Sequence, residues 1–338
     1  MNRTDYLLNR RRALMLLGGL AGGLALHGCT GGGTATSSGS ASQPITSGVN
    51  PWPGYAGHFV ALQKGLFKEE GLDVREAFFQ SNSEEITAFL ARQLDVAWLT
   101  SGDVIQCIDK DPTIRIIYVV DYSNGSDGII GRNINSPADL KGKTIARENI
   151  LFANVLLQAY LAKSGLTEAD ITLKDMSAAD SAAAFASGQV DAAVTYEPWL
   201  TKAAKDGGGE VIFNTKDTNL IADVIATRQD FIETRKTDLQ AYLQAVDKAV
   251  KLINAGDPEA IKITADKLGV AEAEAKAQIS GVKIFDIEMN KSLGFNASDP
   301  NNVMKNFEIN VKEGNRMKIL SNEPKLENIY DSSIVMSL

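Results

Sequence analysis

The sequence predicts a two-lobed α/β protein on three observations. Short β-type runs alternate with amphipathic helical stretches from about residue 46 to 222. One frame, A-F-x-x-x-Q-[LV]-D-x-A, occurs twice, as AFLARQLDVAW at 88–98 and AFASGQVDAAV at 184–194, with its aspartates 96 residues apart. Beyond residue 228 the texture changes to long amphipathic helices, enough to cover a lobe already built.

The chain opens with Arg3, Arg10, Arg11 and Arg12, followed by the apolar run ALMLLGGLAGGLAL. A basic head before an apolar stretch of this length and a small-residue end is an export signal, too short to span a bilayer. Leu26-His27-Gly28-Cys29 resembles a bacterial lipobox, which makes Cys29 the lipidated first residue of the mature protein; an ordinary signal with an incidental cysteine is the alternative. Arg11-Arg12 matches a twin-arginine route in part. Residues 1–28 therefore read as a signal peptide and 29–45, rich in Gly, Ser and Thr, as a flexible tether. The other cysteine, Cys107, lies on the apolar side of a predicted helix and reads as a small core residue.

The body begins at VNPWPG. HFVALQKGLFKEEG reads as helix, LDVREAFFQ as strand, SEEITAFLARQ as a helix capped by its own Ser83, and DVAWLT as strand. GDVIQCIDKD is helical, IRIIYVVDY and DGIIGR are strands, SPADLKGK is a capped turn, TIARE a strand and FANVLLQAYLAKSG a helix. ITLKDM, SAADSAAAFASG, DAAVTY and EPWLTKAAKDGG repeat the strand–helix–strand–helix order, which implies parallel sheets covered by helices. Lobe 1 is expected from 46–124 plus 223–338, lobe 2 from 125–222, with two chain crossings. The helical tail, including VMKNFEINVKEGN, is expected on lobe 1.

Charge and motifs exclude much. The 338-residue chain carries −8, and loss of residues 1–28 removes four arginines and Asp5, leaving −11. Such an acidic chain has no footprint for nucleic acid or an anionic membrane surface. GKT at 142–144 lacks the first glycine of a phosphate loop, Pro137 standing in its place. His58 is the only histidine left after export, so no His-based triad or metal site can be built; no cofactor or metal is expected.

Aromatic and acidic residues instead collect where strands end, the usual ligand position in two-lobed α/β proteins. Trp52 and Tyr55 lie in the proline-stiffened NPWPGYAG. Thr100, Ser101 and Asp103 follow DVAWL; Asp121, Tyr122 and Asp127 lie where lobe 1 passes into lobe 2. Glu148 ends TIARE, with Arg147 beside it as an expected ion-pair partner. Tyr196, Glu197 and Trp199 follow DAAVT, and Asp223 sits near the return crossing. The ligand-binding set is therefore Trp52, Tyr55, Ser101, Asp103, Asp127, Glu148, Glu197, Trp199 and Asp223. Bland roles remain open: core or rim packing for the tryptophans, first-turn capping for Asp103 and helix initiation for Glu197.

The order W-P-G-Y, G-L-F-K-E-E-G-L-D-V, R-Q-L-D-V-A, D-L-K-G-K-T-I-A, G-Q-V-D-A-A-V and E-P-W-L, spread over roughly 46–330, resembles the nitrate/sulfonate/taurine-type (NMT1-like) substrate-binding proteins of ABC importers. The resemblance implies a type II periplasmic-binding-protein fold, each lobe a mixed sheet flanked by helices, closing on a small ligand about two crossing hinges. It also implies an ABC permease and its ATPase as partners, a monomer, and a periplasmic location held by the lipid anchor. KGKTIARE and GVKIFDIE look most similar to cyanobacterial proteins, some associated with guanidine uptake. Oxyanion binders of this kind present small hydroxyl or glycine residues after the TIA strand, where this chain has Arg147-Glu148-Asn149. Carboxylates with aromatic walls fit a small cation such as guanidinium; nitrate, a sulfonate or a similar oxyanion is the alternative. Relatives that make the thiamine pyrimidine precursor need cysteine or histidine chemistry, which His58 alone does not supply.

Overall fold

A computed structural model describes residues 43–338; the export signal and Cys29 lie outside the described residues. Ile45, expected at the end of the tether, is already the first residue of a strand and fully buried. The first half-lobe runs β1 (Ile45–Val49), α1 (Ala56–Gln63), α2 (Leu66–Glu69), β2 (Val74–Phe78), α3 (Asn82–Leu90), β3 (Val96–Thr100), α4 (Ser101–Lys110) and β4 (Ile114–Ser123). The chain then crosses to β5 (Asp127–Gly131), β6 (Thr144–Arg147), α5 (Leu151–Leu161), β7 (Thr172–Asp175), α6 (Ala178–Ala186), β8 (Ala192–Tyr196), α7 (Trp199–Gly207) and β9 (Glu210–Asn214). It returns through β10 (Ala222–Arg228), and β11 (Val282–Ile284) closes the first sheet.

The two sheets share one plan. Spatial order is β2-β1-β3-β10-β4-β11 in the first and β7-β6-β8-β5-β9 in the second. In each, the fourth strand is the one that has just arrived from the other lobe, and it runs antiparallel to both neighbours. The sheets are mixed, as the family resemblance implied; the βα alternation alone points to parallel pairing, and β10 and β5 break it because they enter from the hinge side, opposite to the βα units that built the rest.

The repeat accounts for its own conservation of type. Asp95 Oδ2 accepts from the Thr46 amide at 2.8 Å and Asp191 Oδ2 from the Thr144 amide at 2.9 Å, each tying the turn before its strand to the start of the neighbouring strand. Arg92 and Gly188 occupy the same left-handed turn position, at φ 58° and 78°. The caps match too. Ser81 accepts from the Glu84 amide at the start of α3, and Ser177 from the Asp180 amide at the start of α6. Ser81 thus caps the helix expected to begin on Ser83, which lies inside its first turn.

Helices cover both faces. Lys236–Asn254 packs on α1 and α2, with Tyr242 bonded to Trp98 Nε1, Ser47 and His58 in a buried cluster. Val303–Arg316, expected on lobe 1 alone, packs on both α4 and α5 and so touches both lobes. Cys107 is fully buried on α4, its thiol pushed far above its usual range by burial.

Candidate functional site

A small cavity of about 10 Å³, room for roughly one water, lies at the C-terminal ends of β1, β3 and β8, where both lobes meet. Its aromatic walls are Trp52 and Tyr55 from lobe 1 and Phe152 and Tyr196 from lobe 2. Trp52 and Tyr196 meet edge to face at 5.8 Å, and Phe152 and Tyr196 at 6.0 Å. Asn50, Asn82 and Thr100 supply neutral polar groups, and Asp127 and Asp223 the carboxylates.

The aromatics hold the acids in place. Trp52 Nε1 donates to Asp121 Oδ2 at 2.9 Å, and the Tyr55 hydroxyl donates to Asp223 Oδ1 at 2.7 Å. Asp121 and Asp223 face each other across the β4–β10 ladder. The turn at Pro53–Tyr55 permits this only with a glycine between them, because a Cβ on Gly54 would lie 1.7 Å from Asp121 Oδ2. Asp121 Oδ1, Asp127 Oδ2 and the Tyr196 hydroxyl are buried and have no hydrogen-bond partner among the described residues.

Among the described residues no lysine, arginine or histidine lines this cavity. Burial, with Asp127 adding to it, pushes Asp121 up to about 8 against the opposing Trp52 bond. Asp127 rises to about 7 through burial and the charges of Asp103 and Glu197. Asp223 goes well above the carboxylate range through burial and the nearby charges of Asp121 and Asp127. Like charges removed from water without a counter-ion are expensive, and these groups hold their protons instead. A cation here would meet ready acceptors. Among the described residues no group of three acids, histidines or cysteines is placed to hold a metal ion.

Of the nine residues predicted from the sequence, Trp52, Tyr55, Asp127 and Asp223 line the cavity; the other five do not. Ser101 Oγ turns away to donate to Asn306 Oδ1. Asp103 lies behind the wall, its Oδ2 accepting from Asn82 Nδ2 at 3.1 Å. Glu148 reaches across to the Ser83 amide at 2.9 Å. Arg147 is not its ion-pair partner: the guanidinium pairs with Asp175 at 3.1 Å, on the neighbouring strand β7. Glu197 caps α7, accepting from the Thr201 amide at 3.1 Å and from its hydroxyl at 2.5 Å. Trp199 packs on the alanines of α6, away from the cavity.

Sequence reasoning missed Asn50, Asn82, Phe152 and the buried Glu85 behind them, which accepts from Asn50 Nδ2 at 3.0 Å and from the Trp98 amide at 3.2 Å. It also missed a further echo at the same 96-residue spacing, DGIIGR at 127–132 and DVIATR at 223–228. Its arginines play one role. Arg132 lies 4.6 Å over the Phe185 ring and donates to the Phe185 carbonyl at 3.0 Å; Arg228 lies 4.6 Å over Phe89 and donates to the Phe89 carbonyl. Its aspartates are the two that reach the cavity. The duplication therefore delivers one acid from each crossing strand to the same space.

Solved structures share this architecture. The alkanesulfonate-binding protein SsuA from Xanthomonas axonopodis pv. citri, bound to MOPS, superposes with a TM-score of 0.72 at 20% identity, covering 85% of this chain and 98% of that one. The periplasmic nitrate-binding protein NrtA from Synechocystis PCC 6803 gives 0.69 at 15% identity, covering 87% of each chain. The desulfurization enzyme DszB gives 0.63 at 15%, covering 87% of this chain and 98% of its own. At these identities the likeness is one of fold, and the fold carries binders and an enzyme alike. No curated protein matches the chain in sequence. The profile of the NMT1/THI5-like family matches residues 52–261, more than half of the sequence, and the chain belongs to that family.

Proposed function

We propose that this chain is the extracytoplasmic solute-binding component of an ABC importer and that its ligand is a small organic cation such as guanidinium. One observation carries the choice of charge: two buried aspartates, Asp127 and Asp223, line an aromatic-walled space, a third, Asp121, is held just behind it by Trp52, and no basic side chain lines it. A planar cation with several N–H donors would satisfy the spare carboxylate oxygens by charge-assisted bonds and stack on Trp52, Tyr55, Phe152 and Tyr196. The two-lobed fold, with ligand between lobes, is the geometry of clamp-and-release delivery to a permease and its ATPase. Cys29 as lipid anchor, a periplasmic location and a monomeric state belong to the same reading.

An oxyanion ligand has the sulfonate and nitrate binders of the same fold on its side and the charge of this cavity against it. Thermal unfolding decides between them. Ligand at 100 times its Kd adds about 2.7 kcal/mol of stability. Guanidinium or methylguanidinium at low millimolar concentration should raise the Tm, while nitrate, bicarbonate and taurine leave it unchanged. A shift with an oxyanion alone would overturn the cation reading and leave the transport reading standing.

A further inference from the structure

Two carboxylates outside the cavity make the same kind of contact in opposite directions. Glu148 follows β6 in lobe 2, and its Oε1 accepts from the Ser83 amide in the first turn of α3, in lobe 1, at 2.9 Å. Asp103 lies in the first turn of α4 in lobe 1, and its Oδ1 accepts from the Phe152 amide in the first turn of α5, in lobe 2, at 3.4 Å. Each lobe thus presents an acid to the positive end of a helix of the other. Both acids are almost wholly buried, at 4% and 0% exposure, and neither pairs with a lysine or arginine among the described residues. Within one lobe such contacts would be ordinary caps. Across the cleft they exist only while the lobes are together.

Asp103 is also wired to the cavity. Its other oxygen takes Asn82 Nδ2, Asn82 Oδ1 takes Asn50 Nδ2, and the same Asn50 nitrogen reaches Glu85. Asn50 and Asn82 line the ligand space. A third cross-lobe bond, from Gln278 Nε2 to Glu197 Oε2 at 3.3 Å, lies at the far side of the interface and uses an acid already held by its own helix.

We infer that Glu148 and Asp103 form a reciprocal latch that holds the two lobes closed, so that they set how long a solute is retained rather than which solute is chosen. The inference rests on the cavity being a solute site but needs no ligand for its test. The experiment is amide hydrogen exchange and small-angle scattering on the full, ligand-free protein, wild type against Glu148→Ala, Glu148→Gln and Asp103→Asn. Loss of one acid frees its own amide in any case, so the informative signal is the distant one. With the latch, Glu148→Ala speeds exchange at the Phe152 amide about tenfold, Asp103→Asn speeds the Ser83 amide similarly, and the radius of gyration rises in both. Glu148→Gln, which keeps an acceptor without the charge, falls between. If each substitution changes only the amide it touches and the scattering is unaltered, the acids are local caps and the latch is wrong. If Glu148→Ala does not fold, the same two outcomes are read from Glu148→Gln and Asp103→Asn. Neither outcome depends on whether guanidinium is the ligand.

Discussion

Phe89 and Phe185 hold the same place in the two lobes, each at the end of a helix, under an arginine and fully buried, whereas further along the same repeat Thr100 and Tyr196 stand opposite each other in kind. Asn50 after β1 and Glu148 after β6 differ likewise. Where the two copies agree, the residues tie a helix, a turn and a strand together: Ser81 and Ser177, Asp95 and Asp191, Arg228 and Arg132. Where they diverge, the residues face the cleft. The pair Asp223 and Asp127 belongs to both classes, repeated like scaffold yet turned into the cavity. A duplicated scaffold therefore brings two acids together, and unmatched neighbours around them give the space its shape.

The scaffold half of this comparison predicts the largest effects. Phe89→Ala and Phe185→Ala should each cost about 3–5 kcal/mol in denaturant unfolding, since each leaves a large cavity beneath an arginine. Losses differing severalfold would break the equivalence of the two lobes. Next comes the cavity pair. Asp127→Asn and Asp223→Asn should each weaken guanidinium binding about 100-fold by calorimetry, through loss of a buried charge partner. Neither should lower the ligand-free Tm, because neither carboxylate has a cation in the protein to lose.

Proton linkage sharpens the same point. Asp121, Asp127 and Asp223 have folded values raised above the unfolded value near 4. Across that window the native state binds more protons than the unfolded one. Their contribution to ligand-free stability is therefore fully present below about pH 4 and is lost as pH rises toward about 7–8. Urea midpoints between pH 5 and 8 should fall for the wild type and flatten in Asp223→Asn. Smaller still is Trp199→Ala, which should change ligand affinity less than about twofold because the indole packs on α6 outside the cavity. The smallest effect is Arg92→Gly, where relief of the left-handed turn, worth about 1 kcal/mol, offsets the loss of exposed pairs to Asp111 and Asp230.

The order of elements was legible because strands and helices here follow clean periodicities bounded by Gly and Ser. Mixed pairing came from the family resemblance and not from the periodicity, since a strand's direction within its sheet depends on the hinge it has just crossed rather than on its own residues. Trp52, Tyr55, Asp127 and Asp223 could be found as aromatic or acidic residues beside strand ends. Ser101, Asp103, Glu148 and Glu197 have that same signature but spend it on Asn306, on helix termini and on Thr201. Nothing local separates an acid facing a cavity from one facing a helix of the other lobe. Phe152 had no signal beyond an apolar helix position. The D-x-I-x-x-R echo shares three residues in six, too few to stand out until Arg132 and Arg228 are seen over matching rings.

Calorimetric titration of guanidinium into the ligand-free protein at pH 6 and pH 8, in buffers of differing ionisation enthalpy, tests the central claim most directly. A cation entering a cavity whose aspartates hold protons must displace them, so affinity should be higher at pH 8 and binding should release protons into the buffer. Tighter binding at pH 6, proton uptake, or heat from nitrate and none from guanidinium would contradict it.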